Sequence, residues 1–342
     1  MQKNTKSWKL FLLKRFPLYT ILVISGFVFG MLVIYRFNNN QEVQQPKLQA
    51  IPIIKHTSRS IRQPDFELIK PLLLTEDANE SDKFQLLKED VLRFINKKKQ
   101  EGIITSASVY MRSLNEGYWM SVNKNELFSP GSLMKIPTMI VILKEAEKNP
   151  GLMERKILFR KRITGVPQAT ITGVPMTEGT YYSISQLLYY MIVNSDNDAT
   201  GLLNGMLDFN LMRKLFTDLQ LNPPANGQKD YLIDVADCAK FLTILYNATY
   251  LNPQLSEYAL RLLTESVYRE GIIRDFDPSV KVAHKFGERN INGEQQLHEF
   301  GIIYINKSPY LLGIMTKGTD NTVLSQVLSG VSGIVFKVMS SG

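Results

Sequence analysis

A run of uncharged, mostly apolar residues from Phe16 to Tyr35 is the first hydrophobic pattern along the chain. At about 1.5 Å per residue, a helix of this length spans the roughly 30 Å hydrocarbon core of a bilayer. Five of the six basic residues within positions 1–36 precede the run, and no acidic residue lies there. We therefore predict a basic cytoplasmic tail over residues 1–15 and a transmembrane helix over 16–35, with the rest of the chain outside the cell membrane. A cleaved signal peptide is the alternative, but the residues after the run lack a small-residue cleavage pattern.

The pattern then changes twice. Residues 36–80 are rich in Gln, Asn and Pro, carry scattered charge and show no sustained period, which is typical of a flexible tether. After Ser81, apolar residues recur every three or four positions at Phe84, Leu87, Val91 and Ile95, which predicts a helix. We therefore expect the folded domain to occupy residues 81–342.

Strand-like and helix-like patterns alternate in blocks through this domain. Strands are predicted at both ends and helices between and after them: strands Thr105–Arg112 and Tyr118–Val122, helices Ser132–Lys148, Ser183–Leu207 and Val235–Tyr246, strands Val280–Lys285, Glu299–Ile305 and Tyr310–Thr316, and a last helix Thr322–Met339. This order predicts an α/β (α+β) fold in which an antiparallel sheet is assembled from both ends of the domain, with an all-helical subdomain between.

Charge and cysteine content exclude several classes of function. The 342 residues carry a net charge of +8, but outside positions 1–36 there are 34 basic against 32 acidic residues, so no basic body is available to bind nucleic acid. A single cysteine, Cys238, excludes an internal disulfide and a cysteine-based metal cluster, and the three histidines are well separated. We therefore expect no metal, no cofactor and no nucleic-acid partner; the oligomeric state is left open.

Three short motifs could carry chemistry. The first is Ser132-Leu-Met-Lys135, which follows a Pro-Gly break at the start of a predicted helix. Unpaired N–H groups in a first helical turn favour a developing anion, and Lys135 lies on the same helix face as the Ser132 hydroxyl. A lysine acts as a base only when it is partly neutral, which burial and nearby positive charge promote. Taken alone, the pattern favours a capping serine and a solvated lysine.

The second motif, Ser195-Asp-Asn197, follows the apolar helix at 187–193 and could simply be a polar helix break. The third, Lys285-Phe286-Gly287, lies on a predicted strand, where a glycine often marks a bulge. In this order and on these elements, the three motifs match the Ser-x-x-Lys, Ser-Asp-Asn and Lys-[Thr/Ser]-Gly signature of penicillin-recognising serine enzymes.

From these motifs the chain resembles the class A β-lactamase family and its penicillin-binding relatives over roughly residues 81–342. The likeness extends to the segment 182–188 before Ser-Asp-Asn and to the segment 299–304 after the lysine strand. The resemblance implies a β-lactamase/transpeptidase-like fold and a serine hydrolase that faces the cell wall. Its substrates would be β-lactams or D-alanyl peptides of peptidoglycan.

The resemblance also implies roles for individual residues. Ser132 would be the nucleophile, Lys135 its base, and Ser195 the group that returns the proton to the leaving nitrogen. Asn197 would hold Lys135 and a substrate amide by hydrogen bonds. Lys285 would keep Lys135 partly neutral and attract a substrate carboxylate.

Two further residues of the lysine strand complete the implied site. Gly287 would let substrate lie against the strand edge. The backbone N–H groups of Ser132 and Glu288 would form the oxyanion hole, where two donors stabilise the developing negative charge.

Two departures from the family pattern bear on activity. Phe286 replaces the usual Thr or Ser, whose hydroxyl helps to bind the β-lactam carboxylate. The segment 221–230, where the class A enzymes carry a deacylating Glu, contains none. Asp230 is a shorter stand-in, and Glu178 precedes the Ser-Asp-Asn motif and so does not match. We therefore expect β-lactams to acylate Ser132 and to leave slowly.

Two other hypotheses remain open at this point. The domain could be a non-catalytic cell-wall-binding or sensor module on the same fold, with Phe286 as the sign of divergence. It could also be a structural membrane protein whose motifs are coincidental. Among the remaining residues, we expect His284 beside the site, His298 in a hairpin turn, Cys238 in the core and His56 in the tether.

Overall fold

The computed structural model describes residues 24–36, 58–63, 71–77, 79–163, 173–225, 231–305 and 308–341. The chain divides into two units, Met1–Lys55 and His56–Gly342. The first unit contains helix α1 (Ile24–Arg36), a short apolar helix that overlaps the run predicted to span the membrane. The part of that prediction at residues 16–23 lies outside the described residues.

The strands and helices of the second unit alternate in blocks, as the sequence predicts. The strands are β1 (Ser58–Arg62), β2 (Leu72–Asp77), β3 (Ile104–Ser113), β4 (Trp119–Val122), β5 (Lys156–Phe159), β6 (Thr180–Ser183), β7 (Lys281–Ile291), β8 (Glu294–Tyr304) and β9 (Tyr310–Gly318). The α-helices are α2 (Gln85–Gln100), α3 (Lys135–Ala146), α4 (Ile184–Ile192), α5 (Asn197–Asn204), α6 (Phe209–Asp218), α7 (Val235–Tyr246), α8 (Pro253–Thr264) and α9 (Asn321–Ser340).

The central sheet has five antiparallel strands in the order β4-β3-β9-β8-β7. Two of them precede the helical block and three follow it, which confirms a sheet assembled from both ends of the domain. One face packs on α2 and α9 and the other on the helical block, so apolar side chains are buried on both faces. Strand β7 forms one edge of the sheet.

The β7–β8 hairpin is longer than predicted. It closes at Asn292 and Gly293, whose φ angles of 53° and 91° suit a two-residue turn. Strand β7 therefore continues to Ile291 instead of ending at Lys285. The prediction that His298 lies in a hairpin turn is wrong, because the turn comes earlier and His298 is buried within β8.

The predicted helix over Ser183–Leu207 is two helices. Helix α4 ends at Ile192 and α5 begins at Asn197, and Ser195 between them adopts a left-handed φ of 55°. Asp196 caps α5, since its side chain accepts a hydrogen bond of 2.7 Å from the Ala199 N–H. Short polar side chains compete with the helical backbone in this way, so the Ser-Asp-Asn segment interrupts the helix.

The structure also differs from the predicted tether. Strands β1 and β2, within residues 36–80, pair antiparallel, and their Ile61 and Leu73 side chains are fully buried. The Thr249 hydroxyl donates a hydrogen bond of 2.7 Å to the Leu73 carbonyl and ties the hairpin to the helical block. This part of the segment is therefore folded; residues 37–57, which include His56, lie outside the described residues.

One helix among the described residues is long and apolar enough to cross a membrane, and it is α9. Its Leu324, Val327, Leu328 and Val331 side chains are buried against the sheet. The apolar character of α9 is therefore that of a core helix.

Candidate active site

The segment that carries Ser132 is a tight turn that runs directly into α3. Residues Gly131–Met134 form a 3₁₀ turn, closed by a 3.1 Å hydrogen bond from the Leu133 N–H to the Pro130 carbonyl. In 3₁₀ geometry the side chains of residues three apart eclipse one another. The half-buried Ser132 and the buried Lys135, which is the first residue of α3, therefore lie on the same side of the chain.

This turn packs against the edge of β7 with direct contact between the two backbones. A Cβ atom added at Gly287 would overlap the Pro130 carbonyl oxygen, and one at Gly131 would overlap the Glu288 carbonyl oxygen. Gly131 also has a φ of +53°, a conformation that side chains other than glycine rarely adopt. The contact brings the turn that contains Ser132 against Glu288 of β7. The backbone N–H groups of these two residues are the predicted oxyanion hole.

The side chains of Lys135 and Lys285 both contact Ser195. The Lys135 ammonium nitrogen, Nζ, donates to the Ser195 carbonyl at 2.5 Å and to the Ser195 Oγ at 3.2 Å. Lys285 Nζ donates to the same Oγ at 2.8 Å. The left-handed backbone at Ser195 turns both of its oxygens toward these amines. Since the two amines share one oxygen, they lie within about 6 Å of each other, close enough to influence each other's charge.

Asn197 completes this cluster. Its Oδ1 accepts a hydrogen bond of 2.7 Å from Lys135 Nζ, as the resemblance implied. Because Asn197 is the first residue of α5, its side chain is held by the same helix break that orients Ser195. The sequence motifs around residues 132, 195 and 285 are thus brought to one place by α3, the α4–α5 break and β7.

Burial controls the charge of both lysines. Loss of solvent lowers the pKa of Lys135 to about 7, against the opposing fields of Asp196 and Glu288. Burial also lowers the pKa of Lys285 well below its ordinary value, and the neighbouring Lys135 charge lowers it further, while Glu299 and Glu288 oppose the shift. A neutral amine is therefore accessible near neutral pH, as proton abstraction from a serine requires.

The Ser195 hydroxyl has one proton left to donate. A hydroxyl offers two lone pairs and one O–H, and the two lysine amines donate to its oxygen. When both lone pairs are occupied in this way, the O–H is directed away from the amines. This arrangement can pass a proton between an amine and a third group.

Phe286 lies in the core that the sheet forms with α2 and α9. Its ring is buried and stacks on Tyr268, with the ring centroids 4.4 Å apart and the planes inclined by 24°. Lys285 Nζ lies 4.2 Å from the centroid of the Phe286 ring, at the distance of a cation–π contact. Phe286 therefore packs in this core and offers no hydroxyl at the position where the family has one.

The end of the connection between α6 and α7 pairs with the segment that precedes the turn of Ser132. Phe128 and Ile233 exchange two backbone hydrogen bonds of 3.0 Å, which fix the end of this connection next to the turn. Asp230, the acidic stand-in considered from sequence, lies outside the described residues. Glu178 is exposed and accepts a hydrogen bond of 2.8 Å from the Arg162 N–H, which is a structural contact.

His284 and Glu299 form a buried pair on the face of the sheet that also carries Phe286. The His284 Nδ1 and Glu299 Oε1 atoms are 2.6 Å apart, and the other carboxylate oxygen of Glu299 accepts from the Ile272 N–H at 2.7 Å. Within the described residues, no group of three or more His, Cys, Asp or Glu side chains could hold a metal ion. Cys238 is buried in α7, in agreement with a core position.

Two residues near the site were missed from the sequence. His298 Nε2 lies 3.0 Å from the Ser129 carbonyl oxygen, and the Gln296 Oε1 accepts a 3.0 Å hydrogen bond from the Ser129 N–H. The signal that could have found them is the Asn292-Gly293 dipeptide, a strong marker of a two-residue hairpin turn. A turn at that point puts residues 296 and 298 on one face of the following strand.

Comparisons with known proteins agree with this geometry. A sequence profile of the beta-lactamase enzyme family matches residues 86–339. A β-lactamase from Sphaerobacter thermophilus superposes with a TM-score of 0.63 at 17% identity, over 74% of this chain and 98% of that one. The TLA-1 extended-spectrum β-lactamase gives 0.65 at 17% identity, over 75% and 98% of the two chains.

A variant of PBP-A, solved as an acyl-enzyme complex with penicillin G, gives a TM-score of 0.61 at 18% identity, over 75% of this chain and 97% of that one. At these identities the superpositions establish the fold. No curated protein sequence matches the chain.

Proposed function

This chain belongs to the beta-lactamase enzyme family, and from that premise we propose that it is a membrane-anchored serine hydrolase, acylated at Ser132 by β-lactams or D-alanyl peptides and deacylated slowly. The observation that carries the proposal is the shared contact of Lys135 and Lys285 with the Ser195 hydroxyl. Lys135 directly follows the turn that contains Ser132. This arrangement would give the acylation of Ser132 a base and a proton carrier.

In the acylation step, the Ser132 hydroxyl proton moves to neutral Lys135 while the Ser132 Oγ forms a bond to the carbonyl carbon of the substrate. The π electron pair of the carbonyl moves onto its oxygen. The Ser132 and Glu288 N–H groups are the donors proposed for that oxygen, and the contact between the turn and β7 supports them. Removing one such donor costs serine enzymes on the order of a hundredfold in rate or more.

The leaving group is then protonated. The bond between the carbonyl carbon and nitrogen breaks with its electron pair on nitrogen, and that nitrogen takes the Ser195 hydroxyl proton. Lys135 returns a proton to Ser195 through their 3.2 Å contact. One proton has moved overall from Ser132 to the leaving nitrogen, and Lys135 is neutral again for the next cycle.

Deacylation requires a water whose proton is removed as it attacks the ester carbonyl carbon. In the class A enzymes a Glu of the connecting loop does this, and residues 219–234 contain no Glu. Without that base, the ester to Ser132 is expected to persist. A PBP-A variant in an acyl-enzyme complex with penicillin G is among the structural neighbours and supports this expectation.

The cellular location is part of the proposal. The uncharged run at 16–35, preceded by basic residues, and the apolar helix α1 that overlaps it support a single membrane anchor with the N-terminus in the cytoplasm. The catalytic domain would then face the cell wall. Protease added to intact spheroplasts should digest the domain and spare the segment before residue 16; protection of the domain would contradict this topology.

Labelling by a fluorescent penicillin tests the catalytic proposal. The full-length protein should form a covalent adduct that survives denaturing gel electrophoresis, and Ser132→Ala should abolish it. Ser340→Ala, near the end of α9, is a matched serine control and should label like the unaltered protein. An adduct that persists in Ser132→Ala would exclude Ser132 as the nucleophile.

A chase with unlabelled penicillin tests the slow release. The fluorescent adduct should decay over minutes or longer, and complete loss within seconds would contradict the slow step. If no β-lactam labels the folded protein while it binds peptidoglycan fragments, the non-catalytic alternative replaces the proposed function.

A further inference from the structure

Two side chains of strand β8 contact the backbone N–H and carbonyl groups of Ser129, which lies three residues before the proposed nucleophile. Its N–H donates to the Gln296 Oε1 at 3.0 Å, and its carbonyl oxygen lies 3.0 Å from His298 Nε2. All three residues are buried. The main chain that leads into the turn of Ser132 (Gly131–Met134, the nucleophile turn) is therefore held by β8 as well as by its contact with β7.

The hydrogen bonds of His298 assign its proton. The Thr316 backbone N–H donates to the His298 Nδ1 at 3.2 Å, so Nδ1 is an acceptor. The remaining proton of a neutral imidazole is then on Nε2, which donates it to the Ser129 carbonyl. Burial lowers the pKa of His298 to about 4, so this neutral form persists at physiological pH.

Sheet register explains why these two side chains reach the turn. His298 is paired with Gly287 of β7, and Gln296 lies two residues earlier on the same face of β8. Gly287 has no side chain, and a Cβ there would overlap the Pro130 oxygen. The nucleophile turn therefore rests in the space above Gly287, and its Ser129 peptide is within reach of His298.

We propose that Gln296 and His298 are positioning residues, which hold the Ser129 peptide so that the Ser132 hydroxyl and N–H keep their places opposite Lys135 and Glu288. Neither side chain needs to touch the substrate. The proposal rests on the proposed function, in which Ser132 is the nucleophile. A displacement of about 1 Å at a reacting group can cost on the order of a hundredfold in rate.

Two substitutions at His298 separate positioning from packing. The amide nitrogen of His298→Gln can replace the Nε2 donor, whereas the amide oxygen of His298→Asn can replace only the Nδ1 acceptor. Both remove a buried ring, so a purely structural role would affect both similarly. We expect His298→Gln to be acylated by benzylpenicillin at close to the original rate, and His298→Asn to be slower by about tenfold to a hundredfold.

The loss in His298→Asn should be in the acylation rate constant, with the dissociation constant of the non-covalent complex unchanged. A matched pair at Gln296 repeats the test, since Gln296→Glu keeps an acceptor for the Ser129 N–H and Gln296→Met removes it. Equal acylation rates within each pair would overturn the proposal.

Hydrogen–deuterium exchange of residues 128–134 provides a readout that does not depend on catalysis. Exchange should be faster in His298→Asn than in His298→Gln, and equal exchange would overturn the proposal. If the unaltered protein is not acylated by any β-lactam, the proposed function fails, and this exchange comparison still decides whether the two side chains hold the turn.

The unaltered protein gives a last test should the variants not fold. Nitrogen NMR of ¹⁵N-histidine-labelled protein should show His298 as the neutral Nε2-protonated tautomer across physiological pH. The opposite tautomer, or a protonated ring at neutral pH, would overturn the proposal.

Discussion

The pH dependence of acylation follows directly from the burial of Lys135. With its pKa lowered to about 7, about half of the Lys135 amine is neutral at pH 7. An ordinary lysine, with a pKa of about 10.4, would be neutral in fewer than about one molecule in a thousand at that pH. Burial thus supplies roughly a thousandfold more of the base that the acylation step needs.

The rate of acylation should therefore rise with pH and level off above neutrality. The neutral fraction of Lys135 increases about tenfold between pH 6 and pH 8, so the second-order rate constant for a fluorescent penicillin should increase by a similar factor. Stopped-flow measurement of adduct formation in single-turnover conditions gives this profile. A midpoint near pH 10 would show that Lys135 is not the base or is not desolvated.

Asp196→Asn sharpens the test, because the charge of Asp196 opposes the lowering of the Lys135 pKa. An asparagine oxygen can still cap α5, where Asp196 accepts the Ala199 N–H at 2.7 Å. Removal of the charge should move the midpoint of the rate profile to lower pH. Glu89→Gln, a carboxylate-to-amide change on the exposed face of α2, should leave it in place. An unmoved midpoint in Asp196→Asn would refute the electrostatic reasoning.

Three further predictions concern Ser195, Gly287 and His298. Ser195→Ala removes the oxygen shared by the two lysines and should slow acylation by about a hundredfold or more while the protein stays folded by circular dichroism; a near-normal rate would exclude it as the proton carrier. Gly287→Ala adds a Cβ that overlaps the Pro130 oxygen, so the turn must shift and the free energy of unfolding should fall by about 1–3 kcal/mol in a urea titration, with slower acylation; normal stability and rate together would contradict the close approach. The pKa of His298 is about 4 in the folded state and about 6.5 in the unfolded state, so between these pH values the unfolded state binds more protons. The free energy of unfolding should therefore fall by roughly 3 kcal/mol as the pH is lowered from above 6.5 to 4. This part of the pH dependence should be absent in His298→Gln.

Local periodicity predicts the elements whose burial follows a simple repeat. Leu87, Val91 and Ile95 lie on one face of a helix because residues three and four apart align, and all three are buried in α2. The strands of the sheet follow from short apolar runs between turn residues. The outer β1–β2 hairpin was not predicted, because its docking depends on contacts such as Thr249 with Leu73, which are far apart along the chain.

The break between α4 and α5, within the site, is also not predicted by local periodicity. The apolar run before Ser195 predicts that the helix continues, and the left-handed backbone at Ser195 interrupts it. Amines from α3 and β7 contact the oxygens of Ser195, so groups distant in sequence stabilise this conformation. His298 was misplaced for a related reason, since its role depends on where the β7–β8 turn falls.

The order of amino acids is sufficient to select the residues that we propose to be catalytic. Ser132, Lys135, Ser195 and Lys285 are recognisable because each lies in a short motif at the start, end or middle of a predictable element. The distances between them, the lowered pKa of Lys135 and the contact of His298 with the Ser129 carbonyl are decided by the tertiary structure. Charge and hydrogen bonding depend on which groups and how much water surround an atom, and here those surroundings come from segments that meet only when the chain folds.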